Sequence, residues 1–244
     1  MDPIDVVIEG GGMRAYCIGD SLKYIFRHIG IRRIYGVSAG AVAAILCACD
    51  IDFDHWCRLY VECISPVYNQ TWDLCKSFAA ALDQILPADA HVICSNRVFI
   101  TIHTFGFVLS SFKRQLVSEF STRQDLIESV IASCQIPFIT MMQCARKWRG
   151  QFAYDGILPI YPMRNFHDTL IIRTSYCKRI GIKETFIPGM YTADQLKSFS
   201  VHGLRELRAF LRSKQKCDIF TWAQPRQMNI CHRLLSYANV LNNE

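Results

Sequence analysis

The order of apolar and polar residues in the first fifty positions predicts alternating strands and helices. Ile4–Ile8 is a short β-branched run that stops just before three glycines, a pattern typical of a buried strand. From residue 15 to residue 29 apolar side chains recur at helical spacing, and Gly30 is well placed to end that helix. A second strand is predicted at residues 31–35 and a helix of small residues at 38–49.

These four elements, in this order, predict a βαβ unit, whose crossover is right-handed in nearly all proteins. The last of them contains the longest apolar run of the chain, residues 39–49, which is broken only by Gly40 and ends at Asp50. A helix needs about 20 apolar residues to span a bilayer. We therefore interpret this run as a buried helix.

Beyond residue 50 the pattern predicts further helices and strands of an α/β protein. The predicted elements are helices within 50–90, of which 54–64 is the clearest, a hairpin at 99–111 around Gly106, a helix from the Thr122–Asp125 capping pair to a stop before Pro137, a strand at 169–175 and a basic amphipathic helix at 200–216. A candidate linker at 183–192 is too short to mark a firm domain boundary.

Composition adds a prediction about the compartment and the cysteines. The chain has 244 residues, 51% of them apolar and 20% charged, which suits one large α/β domain with a buried core. Its first residues are acidic where a signal peptide is basic, which predicts a cytoplasmic protein. The twelve cysteines include no C-x-x-C pair, so we expect no metal site and buried, reduced thiols.

Charge is distributed unevenly along the chain. Residues 1–163 carry 14 basic and 15 acidic side chains, whereas residues 164–244 carry 13 basic and 6 acidic ones. The basic helix at 200–216 therefore has two interpretations. It packs on the domain as an ordinary helix, or it contacts an anionic lipid surface at the periphery of a membrane.

The candidate chemistry lies in two glycine-rich turns, at residues 10–12 and 36–40, each of which follows a predicted parallel strand. Such turns meet at one edge of the sheet, where ligands bind in α/β proteins. Ser38, in the G-x-S-x-G pattern, is typical of a nucleophile held on a sharp elbow. The bare backbone N–H groups of the first turn suit an oxyanion hole, and Arg14 is placed to brace that loop or to meet a phosphate.

A serine nucleophile needs a base, and the residues alone leave the choice open. Histidines at 167, 202 and 232 are candidates for a Ser-His-Asp arrangement, as in an esterase or a protease. Asp155, in the turn sequence Asp-Gly, is the other candidate. A dinucleotide fingerprint at residues 10–15 is disfavoured because Tyr35 and Gly36 stand where an acidic residue is required.

Three motifs, "EGGGMR", "GVSAG" and "YDG", occur in one order, and together they resemble the patatin-like phospholipase family over residues 4–212. The segment "DLIESVIASCQIP" also looks like the stretch that precedes the family's catalytic aspartate. The resemblance implies a three-layer α/β/α fold with a mostly parallel central sheet. It also implies a catalytic domain at residues 1–212, followed by a short basic extension at 213–244 that packs on or follows the domain.

The resemblance further implies a Ser–Asp dyad that needs no metal or organic cofactor. The implied site residues are Ser38 as nucleophile, Asp155 as general base, Gly10, Gly11, Gly12 and Arg14 at the oxyanion hole, Gly36 and Gly40 in the nucleophile elbow, and Gly156 in the Asp-Gly loop. Many members carry a second glycine after this Asp-Gly pair, where this chain has Ile157.

The implied activity is that of a lipid acyl hydrolase of the phospholipase A or acylglycerol lipase type, or of an acyltransferase. Its partner would be a lipid substrate, with peripheral contact at a membrane or lipid-droplet surface through the basic helix, and no nucleic acid. A catalytically weak lipid-binding or adaptor protein on the same fold is the alternative. The aromatic side chains of Trp56, Tyr60 and Phe78 are candidates for lining an acyl channel, although core packing explains them as well.

Overall fold

A computed structural model describes residues 3–64, 66, 73–105, 113–137, 140, 145–156, 169–177, 179–180, 191–213 and 217–223. Within these residues the strands are β1 (Ile4–Ile8), β2 (Ile31–Gly36), β3 (Val98–Phe105), β4 (Lys113–Val117), β5 (Arg146–Trp148), β6 (Gln151–Asp155), β7 (Thr169–Ile172) and β8 (Phe220–Trp222).

The helices of the described residues are α1 (Gly19–His28), α2 (Ala39–Ala48), α3 (Phe53–Leu59), α4 (Leu74–Ile85), α5 (Ala90–Cys94), α6 (Arg123–Ser133) and α7 (Ala193–Ser213). Short 3-10 helices lie at Gly12–Ile18 and Thr174–Tyr176, and a π-helical turn lies at Tyr60–Ile64.

All eight strands belong to one sheet, in the order β5-β6-β3-β2-β1-β7-β8, with β4 paired to β3. The four central strands β7, β1, β2 and β3 are parallel, and the strands on either side of them pair antiparallel. The prediction of an α/β fold with a mostly parallel central sheet is thereby confirmed.

The register around β3 determines where the candidate site forms. Ile100 of β3 pairs with β4 and with β2, and Ile102 pairs with β4 and with β6. Because a strand has one neighbour on each side at any residue, β2 and β6 both lie on the side of β3 that is opposite β4. β6 is antiparallel to β3 and therefore runs toward the carboxyl end of β2. As a result Asp155, the last residue of β6, arrives beside Gly36, the last residue of β2.

The core occupies mainly one face of the sheet. In β1 the side chains of Val6 and Ile8 belong to the main hydrophobic cluster together with the helices, whereas Val7 belongs to a small second cluster with Tyr35 and Ile171. Because successive strand side chains point to opposite faces, the two clusters lie on the two sides of the sheet.

The helix expected from residue 15 differs from its prediction. It begins as a 3-10 helix at Gly12 and becomes α-helical only at Gly19. Apolar periodicity indicates which face of a helix is buried, but it does not distinguish these two hydrogen-bond patterns. Gly30 ends the helix as predicted, with a φ of 84° and its N–H donating to the Ile25 carbonyl.

Two other predictions are confirmed where the structure describes them. β3 and β4 form the predicted hairpin, although Gly106 and the rest of the turn lie outside the described residues. The hydroxyl of Thr122 accepts a hydrogen bond of 3.0 Å from the Asp125 N–H, which caps α6. The candidate linker falls almost wholly outside the described residues.

The basic helix is longer than predicted, since α7 begins at Ala193, and residues 214–216 lie outside the description. Leu207 and Leu211 are buried, and a Cβ atom at Gly203 would lie 1.8 Å from the Cys17 carbonyl oxygen. The apolar side of α7 is therefore packed on the domain. β8, which lies in the predicted extension, pairs with β7 and extends the sheet on that side.

The expectation that all the thiols are reduced is wrong for one pair. Cys17 and Cys177 form a disulfide between two positions 160 residues apart in the sequence. A separation of that size carries no spacing signal, so only the fold could bring the two together. The other described cysteines are free, and burial raises the pKa of Cys47 and Cys57 to about 12.

Among the residues that the structure describes, no helix combines the length and the apolar character that crossing a membrane requires. The same residues contain no group of three or more His, Cys, Asp or Glu side chains arranged to hold a metal ion.

Candidate active site

Ser38 occupies a strained elbow between β2 and α2. Its φ is 56° and its ψ −131°, a combination that costs a non-glycine residue free energy and that tends to occur at functional sites. The flanking glycines make the elbow possible because, without side chains, they let neighbouring backbone segments lie very close together. A Cβ atom at Gly36 would lie 2.5 Å from the Gly40 carbonyl oxygen, and one at Gly40 would lie 2.5 Å from the Ile8 carbonyl oxygen.

The elbow is held by hydrogen bonds of the buried Ser133 side chain. The backbone N–H of Ser38 donates to the Ser133 hydroxyl oxygen at 2.9 Å, and the Ser133 hydroxyl donates to the Thr101 carbonyl at 2.7 Å. Sequence reasoning assigned no role to Ser133, although the segment that contains it resembles the stretch before the family's aspartate.

Asp155 ends β6 with only 1% of its surface exposed. Its backbone N–H donates to the Gln135 carbonyl at 2.7 Å, and the Nδ1 atom of His103 lies 3.3 Å from its backbone oxygen. Gly156 follows without room for a side chain, because a Cβ atom there would lie 2.8 Å from the Val37 side chain. The predicted Asp-Gly loop thus begins in contact with the nucleophile elbow, while Ile157 lies outside the described residues.

Burial raises the pKa of the Asp155 carboxyl to about 7, and the nearby Ser38 hydroxyl partly opposes that effect. Within the described residues neither carboxylate oxygen has a partner at standard hydrogen-bond geometry. The two side chains are therefore close enough to interact, but a well-formed hydrogen bond between them is absent from this state of the site. A carboxyl with a pKa near neutrality is suited to accept a proton from a hydroxyl.

The first glycine turn lies against the nucleophile, as the βαβ pattern predicts. A Cβ atom at Gly10 would lie 3.0 Å from the Cβ of Ser38. Gly12 has a φ of 51° and begins the 3-10 helix, in which Gly11 is the N-cap. N–H groups in the first turn of a helix have no partner within that helix. The backbone N–H groups of Gly11 and Gly12 are therefore suited to bind a developing oxyanion.

The same loop is braced by the segment that follows β7. The Thr174 hydroxyl donates to the carbonyl oxygens of Gly10 and Glu9, at 2.7 and 3.2 Å. The Arg14 guanidinium donates to the backbone carbonyls of Ile180 and Ser175. Arg14 therefore holds the loop, and of its two predicted roles the structure supports the brace. Thr174 was not predicted, and no sequence signal distinguishes it.

Ser38 lines an apolar pocket with a volume of about 650 Å³, which includes the space open to solvent at its mouth. Trp56, Tyr60 and Phe78 line this pocket. Further lining comes from the 3-10 helix, α2 and the chain around Cys134 and Ile136. The surfaces beside the nucleophile are thus almost wholly hydrocarbon, which favours an apolar substrate group over a charged one.

The histidine alternatives receive no support from the described residues. His202 lies on α7, where its Nε2 atom is 3.7 Å from the Glu206 carboxylate. Residues 167 and 232 lie outside the described part of the chain. Of the candidate bases that the structure describes, Asp155 and His202, it is Asp155 that lies beside Ser38.

Comparison with known proteins identifies the family. A family model described as patatin-like phospholipase matches residues 6–163, which include Ser38, Asp155 and both glycine turns. That match covers well over half of the chain.

Several curated human proteins are similar to this chain. Patatin-like phospholipase domain-containing protein 5 is 29% identical over 140 residues, which cover 53% of this chain and 30% of that protein. Omega-hydroxyceramide transacylase is 26% identical over 150 residues, 58% of this chain and 27% of that protein. Patatin-like phospholipase domain-containing protein 4 is 26% identical over 145 residues, 54% of this chain and 55% of that protein. In each case the match spans less than two thirds of the relative's length.

Proposed function

We propose that this chain, which belongs to the patatin-like phospholipase family, cleaves or transfers the acyl chains of lipid esters through a Ser38–Asp155 dyad. The family has a three-layer α/β/α fold, and lipid acyl hydrolases and acyltransferases occur among its members. The observation that carries the finer proposal is the meeting of three features at one point. A strained serine lines an apolar pocket, and a buried carboxyl lies close to the hydroxyl of that serine.

In the proposed reaction Asp155 takes the proton of the Ser38 hydroxyl while the serine oxygen attacks the ester carbonyl. The tetrahedral oxyanion accepts hydrogen bonds from backbone N–H groups at Gly11 and Gly12. Collapse expels the alcohol, which recovers the proton from Asp155, and leaves an acyl-serine. Attack by water then gives a hydrolase, and attack by a second alcohol gives an acyltransferase.

The surroundings of the dyad support this assignment. An aspartate with its ordinary pKa is a weak base toward a serine, and burial raises the pKa of Asp155 toward that of a useful base. The elbow glycines let β2, α2 and the end of β1 approach one another closely enough to form the turn that carries Ser38. The brace from Thr174 and Arg14 keeps the oxyanion loop in register with Ser38.

Covalent labelling with a fluorophosphonate, followed by intact-mass measurement, tests the dyad without knowledge of the natural lipid. The wild-type protein should gain one adduct, Ser38→Ala should gain none, and Asp155→Asn should label at least about a hundredfold more slowly, the range seen on loss of a catalytic base. His202→Ala is the control and should label like the wild type.

Two outcomes would contradict the proposal. An adduct on another residue would exclude Ser38 as the nucleophile. A folded wild-type protein that takes up no adduct, even with lipid present, would favour the alternative of a catalytically weak lipid-binding protein, for which the apolar pocket remains suitable.

A further inference from the structure

The carboxyl-terminal end of α6 contacts both members of the proposed dyad. The helix ends at Ser133, and the chain continues through Cys134 and Gln135. All three residues are buried, with Ser133 and Gln135 fully inaccessible. This short turn lies between the end of β2, which carries the nucleophile, and the end of β6, which carries the base.

One connection runs from this turn to the nucleophile. Ser133 accepts the backbone N–H of Ser38 at 2.9 Å and donates its own proton to the Thr101 carbonyl at 2.7 Å. The Ser133 hydroxyl is thus used as donor and acceptor, and both of its bonds are buried. Ser38 lies beyond the end of β2, and its buried N–H takes its partner from another element, α6.

The second connection runs to the base. The Gln135 carbonyl accepts the backbone N–H of Asp155 at 2.7 Å. Thr101 lies on β3 next to Ile102, the residue opposite Asp155 in the sheet. The two bonds of Ser133 therefore join the nucleophile elbow to the strand against which the base is aligned.

We propose that Ser133 is a positioning residue, whose hydroxyl fixes the Ser38 elbow relative to the strand pair that carries Asp155. This inference rests on the proposed dyad. Ser133 is not among the residues that line the pocket, and it acts through the backbone of Ser38. Its loss would leave a buried N–H of Ser38 without a partner and release the elbow from Thr101, so the reactive geometry would be populated less often.

The chain offers a matched control on the same helix. Ser129 lies one turn earlier, is equally buried, and also makes two hydrogen bonds. It donates to the Asp125 carbonyl at 2.7 Å and accepts the Trp148 indole N–H at 3.1 Å. The first bond lies within α6, the second connects α6 to β5, and neither involves the elbow. Ser129→Ala therefore removes the same atom from the same core without affecting Ser38.

The experiment measures fluorophosphonate labelling as a function of probe concentration, together with Tm, for the wild type, Ser133→Ala and Ser129→Ala. Ser133→Ala should lower the labelling rate at saturating probe by about tenfold or more, because small misplacements of reacting groups have effects of that size. Its half-saturating probe concentration should stay unchanged, since the pocket is intact. Ser129→Ala should keep the wild-type rate at saturating probe.

Ser133→Cys is the second variant and covers the case in which the alanine variant does not fold. A thiol fills the site but is a weak hydrogen-bond partner, so its labelling rate should also fall. Equal rates at saturating probe for the Ser133 and Ser129 variants would overturn the inference and leave the dyad standing. Absence of labelling in the folded wild type would instead overturn the dyad, and the inference with it.

Discussion

At the scale of single residues, the two side chains of the proposed dyad are controlled by opposite features. The proposed reactivity of Ser38 depends on backbone geometry, because the elbow holds this residue at a φ that few side chains adopt. Asp155 gains its basicity from burial, which raises its pKa to about 7. Neither property belongs to the residue type, and each depends on the neighbours that the fold supplies.

The pKa of Asp155 predicts how activity depends on pH. Only the ionised carboxylate can accept the proton of Ser38, so the labelling rate should rise with pH and level off above about pH 8. Fluorophosphonate labelling from pH 5 to pH 9 should show one ascending limb with a midpoint near 7. A midpoint near 4, the value for an exposed aspartate, would mean that the carboxyl is solvated or is not the base.

At the scale of secondary-structure elements, the sequence pattern of α7 allowed two interpretations, and the packing of the helix distinguishes between them. The sequence indicates an amphipathic basic helix, and the apolar side of that helix is buried against α1 and the 3-10 helix at Gly12–Ile18. Arg205, Arg208 and Arg212 remain exposed on the outer side. Any contact of α7 with a lipid surface would therefore be electrostatic and would not require insertion of its leucines.

This arrangement predicts a charge-dependent association with membranes. Arg205→Gln combined with Arg208→Gln should weaken binding to anionic phospholipid vesicles, measured by sedimentation, by about thirtyfold, since each basic residue near such a surface contributes about 1 kcal/mol. Binding to neutral vesicles should be weak for both proteins.

The control removes two exposed charges elsewhere, with Lys113→Gln and Arg114→Gln on β4. If this pair weakens binding as much as the α7 pair does, the effect is one of net charge alone, and α7 has no special role at the surface.

At the scale of the whole molecule, the dyad affects folding as well as chemistry. The pKa of Asp155 is raised in the folded state above its unfolded value of about 3.9, so its ionisation opposes folding. The contribution of the neutral Asp155 carboxyl to the free energy of unfolding is complete below about pH 4, and it is lost as the pH rises through 7. The ionised site is therefore maintained by the stability of the rest of the domain.

Asp155→Asn should consequently be more stable than the wild type at pH 8, by about 1–3 kcal/mol, because it removes a buried charge. At about pH 3.5, where the carboxyl is mostly neutral in the unfolded protein as well as in the folded one, the two proteins should unfold at similar temperatures. Thermal unfolding at the two pH values measures this difference. A variant that is less stable at pH 8 would show that the carboxylate has strong partners in the folded protein.

Family and local structure could be predicted from the sequence because they depend on short stretches of chain. Glycines at 10–12, 36 and 40 predicted two turns, the strand–helix order placed both at one edge of a parallel sheet, and the Thr122 cap placed a helix start. These signals arise from the backbone freedom of glycine, the spacing of apolar side chains and local hydrogen bonds.

The remaining features depend on residues far apart in the chain. Only the tertiary structure decided that β6 runs antiparallel toward the end of β2, so that Asp155 reaches Ser38 and is buried there. The same is true of the Ser133 anchor, the Thr174 brace and the Cys17–Cys177 disulfide, each of which joins segments about 30 to 165 residues apart. The sequence by itself determined which turns and motifs form, because those depend on near neighbours. The fold decided which groups meet and how dry their surroundings are, because contact and burial depend on the packing of the whole chain.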